Sequence, residues 1–229
     1  MAASTHPKNL DPKNFGLLIY PGFEALDAFG PIEVINNLSL THKDISLSVI
    51  AATLDPVSTL HKGMHSVGQS VVPTHSFNDA PALDVLIIPG GWGGFDTAPE
   101  LRQWVRDTVP QLDTLITVCN GSALAAQTGV LDGRSATTNK MLWKECVAHG
   151  PKVNWVAKAR WVRDGNIWTS SGVTAGIDVT LAWVANEYGD ELSVELANIM
   201  EFTRAESSLH DPFSDVYKCE DVPAQVKID

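Results

Sequence analysis

Three short stretches of this chain are apolar almost throughout, carry β-branched residues and break at a turn: FGLLIY at 15–20, LDVLIIP at 83–89 and LITV at 115–118. A strand with one wetted face alternates apolar and polar residues, whereas a strand covered on both faces does not. Such runs imply a mainly parallel sheet buried between two helical layers. The intervening segments agree with this. Leu26, Phe29, Ile32, Val34 and Ile35 recur at helical spacing, with Pro31 expected in a first helical turn. Thr97 and Glu100 read as a capping box opening a helix that Pro110 stops. Residues 120–128, 140–150, 174–188 and 191–203 also read as helices, the second closed by Gly150 and the third by Gly189. Residues 45–53 and 134–138 read as strands, 57–74 as a hairpin or short edge strands, and Asp164-Gly165 as the turn of a second β pair.

No internal repeat or low-complexity linker interrupts the pattern. The expected organisation is one α/β domain over 15–229, preceded by a flexible polar tail at 1–14 and ending in a polar stretch from about 206. The chain has 229 residues and a formal net charge of −11, so nucleic acid and anionic membranes are not expected as partners. No run approaches the ~18 apolar residues of a membrane span, and the N-terminus lacks the apolar core of a secretory signal. Three cysteines make no disulfide framework, so a reducing, cytoplasmic setting is expected. His61 and His65 stand four apart, but Gly63 and the β-like surroundings argue for surface histidines rather than a metal site, and no cofactor is expected.

In a parallel α/β sheet, ligands sit outside the carboxyl ends of the strands. The turn after Tyr20, the glycines after Pro89 and Cys119 all fall at that edge. Cys119 lies where a strand becomes a helix, and unpaired backbone N–H groups there favour an anion and ease thiol ionisation. Cys146 and Cys219 lack that setting. The turn IPGGWGG at 88–94 is neither a Walker loop, which needs Lys then Ser or Thr, nor a dinucleotide fingerprint, whose third glycine is replaced by Asp96. It remains able to offer backbone donors, most plausibly at Gly91 and Trp92, and the Trp92 ring could wall a pocket. Glu24, Asp27 and Glu33 all lie near the end of the first strand, and position alone does not choose among them. A carboxyl close to the sulfur is useful if protonated, with a raised pKa.

The segments LDAFGPIEV, LDVLIIPGG, VCNGSALAAQTGVLDGRSATT and DGNIWTSSGVTAGID together resemble the ThiJ/PfpI superfamily of the class I glutamine amidotransferase-like group, over about Phe15 to Phe202. The more specific patterns resemble its isonitrile hydratase branch and the amidase-like domains of some transcription regulators. The resemblance implies a flavodoxin-like three-layer α/β/α sandwich with extra β-hairpins, and a homodimer acting on a small-molecule substrate. It places the nucleophile on Cys119, the acid on Asp27 and the oxyanion or substrate-orienting groups on Gly91 and Asn120. Asn120 stands where the branch has Thr, and Asn139 where it has His. With no histidine base there, glutamine amide hydrolysis is disfavoured. The implied reaction is addition of water to an isocyanide through a Cys119 thioimidate, giving an N-substituted formamide. The alternative is a redox or carbonyl-stress protein with an oxidisable Cys119.

Overall fold

The computed structural model describes residues 12–41, 44–61, 63 and 67–225. Strands and helices alternate as the apolar pattern requires: β1 (Asn14–Leu18), α1 (Ala25–Thr41), β2 (Ser46–Ala51), the short strands β3 (Val57–Ser58), β4 (Ser70–Val71) and β5 (His75–Ser76), then β6 (Val85–Ile88), α2 (Pro99–Thr108), β7 (Thr114–Thr117) and α3 (Gly121–Gln127). The second half comprises β8 (Ser135–Ala136), α4 (Trp143–Ala148), β9 (Asn154–Trp155), β10 (Trp161–Asp164), β11 (Ile167–Ser170), α5 (Ala175–Tyr188), α6 (Asp190–Ile199) and α7 (Phe213–Val216).

Seven strands form one sheet in the order β10-β11-β7-β6-β1-β2-β5, parallel except for β10. β3–β4 is a separate antiparallel hairpin, and β8–β9 a short parallel pair. β6 and β7 are buried along their whole length, and β1 from Phe15 onward. α1, α5 and α6 pack together as one outer layer, and α2, α3 and α4 as the other. From β1 the chain steps outward to β2 and β5, then returns to place β6 and β7 on β1's other side. Strand order therefore reverses between β1 and β6, the position at which such sheets open a crevice.

Local details depart from the sequence reading for physical reasons. Pro31 lies inside α1, not in its first turn. An interior proline forfeits a backbone bond at a cost of about 3 kcal/mol. Here Gly30 and Pro31 face α5: a Cβ at Gly30 would lie 2.9 Å from Ile177, and one at Gly176 would lie 3.3 Å from Pro31. Close helix packing offsets the lost bond. α2 is capped by Ala98 with Pro99 at its first position, and Thr97 makes no cap. Thr174 does precede α5, but its hydroxyl accepts from Arg160 Nη2 at 3.0 Å instead of capping.

The termini are more tightly held than their polarity suggested. Residues 1–11 lie outside the described residues, but Lys13 N donates to Asp84 Oδ2 at 2.8 Å and Tyr188 Oη donates to Pro12 O at 3.1 Å. After residue 206 the chain wraps β9 and α4: Val222 pairs with Trp155, Trp143 Nε1 donates to Glu220 O, and Ala157 N donates to Asp221 Oδ1. Asp211 is buried 3.8 Å from the buried Lys140 ammonium, which also donates to Thr137 Oγ1 at 2.6 Å.

The start of α3 lies against the end of β6: a Cβ at Gly121 would stand 2.8 Å from Pro89 O and closer still to Ile88 O. Gly→Ala in a helix ordinarily gains up to about 1 kcal/mol. Gly121→Ala should instead destabilise the fold by about 1–3 kcal/mol, read as a lower denaturation midpoint at unchanged slope.

Candidate active site

Because β1, β6 and β7 are neighbours, the turns that follow them converge. Tyr20 Oη donates to Pro89 O at 2.7 Å, and Glu24 N donates to Gly90 O at 2.8 Å. Gly90 N donates to Asp27 Oδ2 at 3.0 Å, which fixes that carboxyl from the first turn of α1. A Cβ at Gly90 would lie 2.7 Å from Asp27 Oδ2 and 2.9 Å from Asn120 N. Only glycine lets the three turns meet.

Cys119 sits on the turn between β7 and α3 with φ 58°, a left-handed conformation that L-residues avoid. Both of its own backbone polar groups are engaged. Its N–H donates to Ser171 O at 3.0 Å, and its carbonyl accepts Ser122 Oγ at 3.0 Å and Thr138 Oγ1 at 3.1 Å. These bonds hold the turn and aim the sulfur into the junction. The sulfur accepts from Asn139 Nδ2 at 3.0 Å, and the backbone N–H groups of Asn120 and Val173 lie near enough to pull its pKa down. Val173 is itself left-handed, at φ 38°. For a β-branched residue that is a true outlier.

Of the three candidate carboxylates, the structure brings Asp27 to the sulfur. It is fully buried, and its Oδ1 lacks a hydrogen bond of ordinary geometry. Burial is the main reason its pKa rises from 3.8 to about 7; the Gly90 N–H opposes this, Glu24 adds to it, and the Cys119 thiol, hydrogen-bonding to the carboxyl, opposes it. Glu24 and Glu33 are exposed.

The expectation of a readily ionised thiol is overturned. Cys119 is 5% exposed, and burial followed by repulsion from Asp27 pushes its pKa well above the ordinary value, against the pull of Asn120, Asn139 and Val173. α3 has only seven residues, and its amides do not outweigh desolvation. Tyr20 is likewise raised, first by burial and then by Asp27 and Cys119. The junction thus sets a carboxyl that holds its proton up to a pH of about 7 beside an uncharged thiol.

The expected roles of Gly91 and Asn120 need correction. Gly91 N donates to Asn120 Oδ1 at 2.7 Å, and Asn120 Nδ2 returns a bond to Gly91 O at 2.8 Å. The Gly91 N–H is therefore spent inside the protein, and the Asn120 side chain ties two turns together rather than facing the thiol. It is the Asn120 backbone N–H that faces the sulfur. Trp92 opens a 3-10 turn (Trp92–Phe95), 41% exposed, its ring tilted against Phe95 at 6.4 Å. The Val173 N–H and the Asn139 amide were not foreseen as sulfur ligands; the only sequence signal was the GVTAGID segment and the loss of histidine at 139. Of the histidine pair, His65 lies outside the described residues.

A left-handed cysteine on a β-to-α turn, flanked by turns from the two adjacent strands, defines a class of α/β proteins built around a cysteine elbow. The DJ-1/PfpI family model matches residues 14–186, and this chain belongs to that family. It is 34% identical over 170 residues to isonitrile hydratase of Pseudomonas putida, covering 72% of this chain and 68% of that protein. It is 28% identical over 190 residues to the transcriptional regulator CdhR of Pseudomonas aeruginosa, covering 81% of this chain but only 54% of the regulator. The crystal structure of a ThiJ/PfpI family protein from Pseudomonas syringae superposes with a TM-score of 0.73 at 27% identity, covering 90% of this chain and 84% of that one. The mixed α/β architecture with a mostly parallel central sheet is shared with that solved structure.

A carboxyl held at about 7 when folded, against 3.8 unfolded, binds its proton more tightly in the native state. Stability from this group is greatest below pH 4 and is lost as pH rises towards 7, by about 4 kcal/mol. Asp27→Asn keeps an acceptor for Gly90 N–H and carries no charge. It should be more stable than the wild type at pH 8 and lose most of that advantage at pH 5, as measured by urea denaturation at both values.

Proposed function

We propose that this protein is a cysteine-dependent enzyme that hydrates isocyanides to N-substituted formamides, with Cys119 as nucleophile and Asp27 as acid and base. The observation that carries this reading is the buried Asp27–Cys119 pair: an acid half-protonated near neutrality beside a thiol with no basic partner. The 34% identity to isonitrile hydratase supports it.

An isocyanide has no leaving group, and its terminal carbon carries a lone pair. The Asp27 carboxyl gives its proton to that carbon while the sulfur bonds to it, and the thiol proton passes to the carboxylate so formed. The net change is addition of S–H across the carbon, producing a thioimidate. Water then bonds to the same carbon as Asp27 takes a proton from it and delivers one to nitrogen. The tetrahedral adduct collapses by breaking the C–S bond; its hydroxyl proton returns to sulfur and the formamide leaves. The Asn120 and Val173 N–H groups and the Asn139 amide face the sulfur, where they stabilise charge that develops as bonds form and break. The fixed Gly91–Asn120 pair keeps the turn rigid beneath the reacting carbon.

The redox alternative needs an accessible, ionised thiol. A buried sulfur with a raised pKa weighs against it. A non-catalytic small-molecule binder, in keeping with the regulator relatives, would bind isocyanides without turnover. We place the reaction in the cytoplasm, on a homodimer to which the half-exposed Leu26 and Phe29 of α1 lend an apolar patch. Among the described residues no helix is long and apolar enough to cross a membrane.

Formation of N-alkylformamide from cyclohexyl isocyanide, followed by chromatography, tests the reading. Cys119→Ala should abolish turnover, and Asp27→Asn should lower it by about two to four orders of magnitude. Because the first step needs the protonated carboxyl, the rate should fall as pH rises through about 7. Wild-type turnover retained in Cys119→Ala, or binding with no product, would end the proposal.

A further inference from the structure

We propose that Asn139 is a one-way hydrogen-bond donor to the Cys119 sulfur, leaving Asp27 as the group that exchanges a proton with it, and that this arrangement selects electrophiles whose own reacting atoms can be protonated over substrates with a leaving group. The inference rests on the reading of Cys119 as nucleophile and deepens it.

The orientation of the amide is fixed from its other side. Asn139 Oδ1 accepts the Leu142 N–H at 3.0 Å. Turning the amide over would set two donors against each other and leave that backbone group without its acceptor. Nδ2 therefore points at the sulfur, 3.0 Å away. The absence of a side chain at Gly172 makes room, since a Cβ there would lie 2.8 Å from Nδ2. An amide nitrogen held this way donates and never accepts, so it cannot take the thiol proton, as an imidazole at the same place would.

The remaining neighbours narrow the choice. The Asn120 and Val173 N–H groups are also donors only. Tyr20 is an ionisable group whose pKa the sulfur raises, and its hydroxyl is committed to Pro89 O at 2.7 Å. Glu24 acts on Asp27. Among the described residues Asp27 is the acceptor that remains. An amide or ester must receive a proton on its leaving group as the thiol gives one up, the double role that an imidazole at the sulfur serves. A carbon–nitrogen multiple bond takes the proton into the product itself, so one carboxyl suffices.

Two substitutions test this by the pH dependence of iodoacetamide alkylation, compared among variants that melt within a few degrees of the wild type. Asn139→Asp keeps an acceptor for Leu142 N–H but turns the donor into a carboxylate. The alkylation inflection should move up, slowing alkylation at pH 8 tenfold or more. Asn139→His supplies a base: alkylation at pH 6.5 should rise at least tenfold, and p-nitrophenyl acetate cleavage should rise with it. An unchanged profile in Asn139→Asp, or an Asn139→His protein with neither gain, overturns the inference. These readouts need no isocyanide, so a wild type that makes no formamide would sink the proposed function while the alkylation profiles still decide the role of Asn139.

Discussion

The close approach of the turns after β6 and β7 depends on two positions that carry no Cβ. Gly121 lets the first turn of α3 lie on the carbonyls of Ile88 and Pro89, and Gly90 leaves room for both Asp27 and Asn120. With any larger residue the turns separate, the Gly90 N–H leaves the Asp27 carboxyl, and the Asn120 amide loses its paired bonds to Gly91. The sheet places the strand ends in a row, but the glycines turn adjacency into contact. That contact removes water from an acid and a thiol together, and the electrostatics of the site follow from it.

Desolvation is the dominant influence on both groups. In a wetter site the carboxylate would ionise and repel the thiolate. Here burial disfavours both charges: the thiol stays neutral, and the carboxyl keeps its proton up to a pH of about 7. The donors around the sulfur partly offset burial without reversing it. Such an arrangement stores its cost in the fold, through the left-handed Cys119 and Val173 and the buried acid, and the surrounding bonds keep it in place. Thr138 supports Cys119 from one side while Lys140, two residues on, anchors the same segment to Asp211. The C-terminal wrapping therefore braces the wall behind Cys119.

Much of the layout was legible because it depends on patterns that are local in the chain. The apolar runs at 15–20, 83–89 and 115–118 became the central strands, and the Asp164-Gly165 turn closed a hairpin, with Gly165 at φ 63°. What stayed hidden depends on contacts between distant segments. Pro31 inside α1 makes sense only once α5 lies against it. The anchoring of the polar stretch after 206 was not legible because its bonds go to residues some sixty to eighty positions away. At the site, Cys119 was legible as a strand-to-helix corner, but its raised pKa was not. The helix-end argument for ionisation is local, whereas burial is set by the whole fold. Gly91 illustrates the same limit: a glycine turn offers N–H groups, but nothing in the sequence says that the Asn120 side chain already occupies one.

The Val173 N–H links that limit to the geometry of the sulfur. A left-handed valine is costly, and the bonds that stabilise the adjoining residues lie on both sides of it. Cys119 N donates to Ser171 O and Ser171 N to Arg160 O, while Arg160 also binds Thr174 Oγ1 and forms a buried ion pair with Asp178 at 2.9 Å. Asp178 Oδ1 in turn accepts Ala205 N at 2.8 Å. Arg160 thus fixes both ends of the loop that carries Val173, through its backbone carbonyl at Ser171 and its guanidinium at Thr174 and Asp178. A bond from an exposed, freely moving loop would be averaged away. Held by a half-buried arginine, this N–H is preorganised, the condition under which a donor stabilises charge as it forms rather than after the protein has rearranged.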